Sequence, residues 1–87
     1  MWNPETQVRI DLFFPVLQKT YECLFSRQAS FAQNLCIFQP LLEKDGQRFY
    51  RFRSSMIIVE KDSGIFCDLD ICLDRLGIQD GMTFILY

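Results

Sequence analysis

The sequence predicts an α+β fold in which one helix lies across one face of a mixed four- to five-stranded sheet. Three observations carry that prediction. Near the amino terminus, two stretches alternate apolar with polar residues on either side of a proline-containing break. Ser30 and Gln33 then open a segment whose apolar residues recur at helical spacing. Beyond it, short β-branched and aromatic runs are separated by Asp-Ser-Gly and Asp-Gly turns. Strands, one helix, then more strands within 87 residues leave room for a single helix-on-sheet layer pair and one domain, residues 1–87.

Taken in order, residues 1–6, MWNPET, read as a loose lead-in, with Pro4 opposing regular structure. QVRIDLF puts Val8, Ile10 and Leu12 on one face and Arg9 and Asp11 on the other, the alternation of a half-buried strand. Pro15 breaks it. KTYECLF alternates Tyr21, Cys23 and Phe25 with Thr20, Glu22 and Leu24, so the two strands form a hairpin. Ser30 and Gln33 match the S-x-x-Q capping box, which starts the helix at Phe31. Phe31, Leu35, Phe38 and Leu42 make its apolar face. Pro40 lacks a backbone donor and its ring crowds the preceding turn, so the helix is expected to end or kink near Phe38–Gln39. QRFYRFRSS has no clean period. MIIVEK reads as a strand, Asp62–Gly64 as a turn, and IFC as a short strand. DLDICLDRLGI is too irregular for a strand and reads as a loop with one helical turn around Leu73–Leu76. Asp80-Gly81 turns the chain into a last strand, MTFILY. Parallel pairing of the first and last strands at the sheet centre would close this order into a β-grasp.

Composition supports a packed core: 49% of the residues are hydrophobic and 15% aromatic, nine of them Phe. A chain this short buries only about 60–65% of its unfolded surface, so that core must be efficient. A net charge of −2 argues against a dedicated nucleic-acid binder, and it offers no broad cationic face for anionic lipid. No run approaches a membrane span, and no signal peptide is evident among Pro4, Glu5, Arg9 and Asp11. Cys23, Cys36, Cys67 and Cys72 are expected to be reduced, mostly buried thiols of a cytoplasmic protein.

KTYECLFS is similar to the second strand of ubiquitin-like proteins, and Ser30-Phe31 to their helix start. CLDRLGIQDGMTFILY carries the most specific resemblance: a Leu, a helical turn, Leu-Gly-Ile, a few polar residues and a final strand. Its LGI-x-DG variant resembles the YukD-like proteins, small ubiquitin-like proteins encoded with type VII secretion machinery in Gram-positive bacteria. The likeness spans residues 8–87 in element order and 73–87 in detail. It implies a cytosolic accessory or regulator that touches membrane-embedded secretion components. Ubiquitin ends in a flexible Gly-Gly tail, whereas this sequence ends at Tyr87 within its last strand. Conjugation is therefore not expected. Residues 47–55 are longer and more basic than the family pattern.

The residues that could carry chemistry are sparse. There is no His, which removes Ser-His and Cys-His nucleophile pairs and any His-containing zinc site. The cysteines form no C-x-x-C, so no metal site is expected and they read as ordinary thiols. Asp68, Asp70 and Asp74 superficially resemble a calcium loop, but the Gly is missing and Gln79 stands at the twelfth position. A solvated acidic turn is the better reading, and neither an enzyme nor a cofactor is expected. RFYRFR interleaves Arg48, Arg51 and Arg53 with rings. It could fill core with its rings, hold a partner's carboxylates through its arginines, or track nucleic acid. In the last strand Phe84 and Leu86 face one way and Thr83, Ile85 and Tyr87 the other. The resemblance to ubiquitin-like proteins implies that Phe84 and Leu86 pack under the helix, leaving Ile85 and Tyr87 on the open face beside Ile58. Either that face is an interaction surface, or the Trp2 segment or the basic stretch covers it.

The expectation is thus a non-catalytic docking module with Ile58, Ile85 and Tyr87 as apolar anchors and Arg51 and Arg53 as polar rim. The alternative is a structural protein that forms a homodimer through the same face. Nucleic acid and direct membrane insertion are not expected.

Overall fold

A computed structural model describes residues 3–87. The amino-terminal alternation becomes a hairpin. Strand β1 (Gln7–Phe14) pairs antiparallel with β2 (Lys19–Ser26) from Gln7 opposite Ser26 to Phe14 opposite Lys19. The break between them is a turn closed by Leu17 N–H to the Phe14 carbonyl and Gln18 N–H to the Pro15 carbonyl, both 3.1 Å. Of the lead-in, residues 3–6 close on themselves, with the Asn3 carbonyl accepting from Thr6 and Gln7 N–H. The Trp2 cover lies outside the described residues.

Helix α1 (Phe31–Lys44) starts where the capping box puts it. The Ser30 hydroxyl accepts from Gln33 N–H at 3.1 Å, and the Gln33 side chain accepts from Ser30 N–H at 2.9 Å. Phe31, Leu35, Phe38 and Leu42 are all buried, as the spacing requires. The helix does not end near Pro40; it continues to Lys44. Pro40 and Cys36, whose carbonyl loses its helical donor, are both exposed, so water can serve that carbonyl. Phe38 and Leu42 anchor the turns around the proline from the opposite side.

Strand β3 (Ile58–Glu60) is shorter than MIIVEK suggests, and β4 (Phe66–Cys67) is shorter than IFC. Residues 68–78 carry no helix. The one-turn expectation survives as Arg75 N–H to the Cys72 carbonyl and Leu76 N–H to the Leu73 carbonyl, each 3.1 Å. This loop is fastened to the start of α1: the Leu69 carbonyl accepts from Ala32 N–H at 3.0 Å, satisfying a donor that a helix start leaves open.

Strand β5 (Thr83–Leu86) inserts between β1 and β3. It runs parallel to β1, with Leu12 opposite Phe84, and antiparallel to β3, with Val59 opposite Ile85. The order β2-β1-β5-β3-β4 is the β-grasp that the sequence predicts, with five strands. One core joins both layers: Val8, Ile10, Leu12 and Phe14 from β1 meet the helix residues, and the Phe31 and Phe84 rings lie 5.2 Å apart.

Candidate functional site

The helix covers one sheet face, and β5 fixes what the other displays. Directly opposed residues share a face. The pairings Thr20–Phe13, Phe13–Ile85, Ile85–Val59 and Val59–Phe66 therefore draw one row across all five strands. Four of its five residues are apolar. Phe13, Ile85 and Val59 are half-buried, and Phe66 is 70% exposed. The next row belongs to Ile57 and Tyr87, which exchange backbone hydrogen bonds of 3.2 and 2.8 Å. They are 45% and 62% exposed. On the other side the face turns polar, with Asp11 between Glu22 and Thr83 and an Arg9–Glu22 ion pair of 3.3 Å.

Ile85 and Tyr87 stand where the strand phase predicts, whereas Ile58 does not. Ile58 pairs with Leu86 on the helix side and is 0% exposed, a core residue. The open-face neighbours of Ile85 and Tyr87 are Val59 and Ile57, one residue to either side of the expected anchor. Sequence reasoning passed over both, along with Phe13 and Phe66. A register for β3 against β5 would have found the first two.

The two arginines lie at the Tyr87 end of the face, where both line one depression with it. Arg51 reaches back to α1, with its guanidinium 3.3 Å from Glu43 and donating to the Arg48 and Tyr50 carbonyls, the latter at 2.9 Å. Arg53 is exposed, and its N–H donates to the Met56 sulfur at 3.3 Å. Both sit on the 47–56 segment at the end of the sheet. Tyr50 and Phe52 from this segment tuck against Phe14 on the helix side, at 5.4 and 6.1 Å between ring centroids. The core-filling reading of RFYRFR thus holds for two of its three rings. The third, Phe49, is 92% exposed.

Other candidate groups are engaged in local contacts. Asp70 N–H donates to the Asp68 carboxylate at 2.8 Å, a self-closed turn. The Glu60 carboxyl is held below its ordinary range, first by Asp62 N–H and then by the Ser63 side chain, which shapes the β3–β4 turn. Of the cysteines only Cys23 is buried; Cys36 is exposed because it falls off the helix's apolar face, and Cys67 and Cys72 are partly covered. Burial, then the nearby Asp11 and Glu22 carboxylates, push the Cys23 thiol up to about 12, the opposite of a nucleophile's tuning.

No family model matches the chain, and no curated protein is similar to it in sequence. Solved structures are similar in fold. Caldiarchaeum subterraneum ubiquitin is 16% identical with a TM-score of 0.62, over 92% of this chain and 90% of that one. The ubiquitin-like domain of an Arabidopsis thaliana protein is 15% identical with a TM-score of 0.61, over 94% and 77%. ATBAG1, in a complex with HSP70, is 21% identical with a TM-score of 0.62, over 92% of this chain and 39% of that one. The fold is that of the ubiquitin-like β-grasp domains.

Proposed function

We propose that the chain is a non-catalytic docking module whose open sheet face binds a protein partner. One observation carries this: the face presents Phe13, Ile85, Val59 and Phe66 in a continuous row, backed by Ile57 and Tyr87, where an open antiparallel face ordinarily shows polar residues. The anchors are Ile85, Tyr87, Ile57 and Val59, and the Asp11–Glu22–Arg9 end supplies the polar margin. Buried anchors of this kind cost about 2 kcal/mol or more when lost from a contact. Support from outside the chain is the shared fold, together with the HSP70 complex of one similar structure.

The finer reading is a cytoplasmic accessory of type VII secretion that acts by contact rather than covalent attachment. It rests on the resemblance of residues 73–87 to YukD-like proteins. No helix among the described residues is long and apolar enough to cross a membrane.

The test is a paired capture from producing cells with wild type and Ile85→Asp as baits, each checked for folding by circular dichroism. Capture of a protein by wild type alone supports the face, and secretion components among the captured proteins support the finer reading. Equal capture by both baits removes the face. A dimer in light scattering that Ile85→Asp dissolves assigns the face to a second copy instead. Bands of higher mass that react with antibody to the protein and survive denaturation would overturn action by contact.

A further inference from the structure

The docking face leaves the 47–56 segment unexplained. Between this segment and the β1–β2 turn lies a depression of about 530 Å³, lined by Pro15, Val16, Tyr50, Met56, Leu86 and Tyr87. That volume is within the range of ligand pockets, and its lining is almost wholly carbon and sulfur. Tyr50, Met56 and Tyr87 also line an adjoining depression of about 350 Å³, whose remaining wall includes Arg51, Arg53 and Phe49. An apolar floor therefore continues into a cationic rim.

We infer that this groove takes a partner peptide in which a large apolar side chain is followed closely by a carboxylate. The apolar side chain fills the floor and Arg53 holds the carboxylate. This rests on the reading of the chain as a docking module and adds the partner's chemistry. Charge complementarity selects the occupant. Three arginines fall within the six residues Arg48–Arg53 of a chain whose net charge is −2. The Arg51 charge is answered by Glu43 at 3.3 Å, whereas Arg48 and Arg53 form no ion pair among the described residues. A planar guanidinium left open beside an apolar hollow fits a carboxylate. A basic or purely polar peptide would fail at the rim or at the floor.

Nucleic acid fits less well. Base stacking needs free ring faces, yet Tyr50 and Phe52 are committed to Phe14 and to each other at 5.5 Å, which leaves Phe49 alone. The same commitment stiffens the segment, so the groove is formed before a ligand arrives and little ordering cost attaches to binding.

The experiment is a titration of nitrogen-15-labelled protein, followed by amide shifts. Its probes are three capped Gly/Ser nonapeptides with central Phe-Asp-Asp, Phe-Ser-Ser or Phe-Lys-Lys, and a decauridylate. The expected result is that Phe-Asp-Asp moves amides at Val16, Tyr50, Arg53, Met56 and Tyr87, and binds at least about tenfold more tightly than Phe-Lys-Lys. Arg53→Glu, with dispersed spectra confirming its fold, should weaken Phe-Asp-Asp by about tenfold, and Arg53→Lys by less. Arg75→Glu should not matter. No shifts at about 1 mM peptide, equal binding of the basic peptide, or shifts centred elsewhere would each overturn the groove. So would decauridylate binding more tightly at the same amides. Failures of the two proposals are separable. Ile85→Asp lies off the groove, so it should spare peptide binding even where it abolishes partner capture.

Discussion

Tyr21 and Asp45 tie the hairpin to the end of the helix. The Tyr21 hydroxyl donates to the Asp45 carboxylate, and the Lys19 ammonium lies 3.2 Å from the same oxygen. The Tyr21 hydrogen bond, then Lys19, hold the Asp45 carboxyl below its ordinary value; burial and then Asp45 push the Tyr21 hydroxyl up to about 12. A carboxyl lowered by folding contributes stability that is complete above the ordinary carboxylate range and is lost as pH falls through its folded value. Tyr21→Phe removes the leading cause, so the carbon-13 titration of the Asp45 carboxyl should move up toward the ordinary range while Lys19 keeps it partly lowered. An unmoved midpoint would assign the shift to Lys19 alone. At this scale the sequence was legible where residues alternate and illegible where they do not. Val8, Ile10 and Leu12 declare their face because Arg9 and Asp11 separate them. Ile57, Ile58 and Val59 are three β-branched residues in succession, so nothing in them marks which one faces the helix. The pairing of Ile58 with Leu86 decides that, and it is a property of the neighbouring strand.

Among the elements, α1 shows both how far local signals reach and where they stop. Its first residue follows from Ser30 and Gln33 because a capping box is made by residues three apart, all visible in the sequence. Its last turn does not. Pro40 opposes the helix locally, and the opposing contribution comes from Phe38 and Leu42 in a core that assembles only when the sheet is present. The proline's penalty is still carried by the folded chain. Pro40→Ala restores a donor to the Cys36 carbonyl and removes the ring, so it should stabilise the protein by about 1–3 kcal/mol, read as a higher urea midpoint. No change in midpoint would mean that the helix already accommodates the ring by bending. The 47–56 segment was illegible for a related reason. Its rings follow no period because they fill the end of a core built by other elements, with Tyr50 and Phe52 on Phe14.

Across the molecule, Phe14 is the core residue through which the hairpin, the helix and the 47–56 segment meet. Its ring lies 5.5 Å from Tyr21, 6.5 Å from Phe38 and 5.4 Å from Tyr50. Phe14→Ala should cost about 3–5 kcal/mol, a large share of the roughly 5–15 kcal/mol that holds a small domain together. The milder Phe14→Leu should speed amide exchange in residues 50–56 more than in β1 and β5; uniform acceleration would show that the segment opens only with the whole. The overall strand order was legible because the strand-strand-helix-strand sequence and a final apolar strand leave few ways to cover one sheet face with one helix. That order also sets a timetable. The bond from Arg9 N–H to the Asp80 carboxylate spans 71 residues, and β5 enters the sheet beside β1 just after it. During synthesis the hairpin and helix emerge first, and the edge of β1 that β5 will occupy stays bare until β5 is made. At about 5–20 residues per second that interval is on the order of seconds. An open strand edge invites pairing with another chain. The nascent protein thus passes through an aggregation-prone form, and crowded polysomes or a pause upstream of β5 would lower its yield.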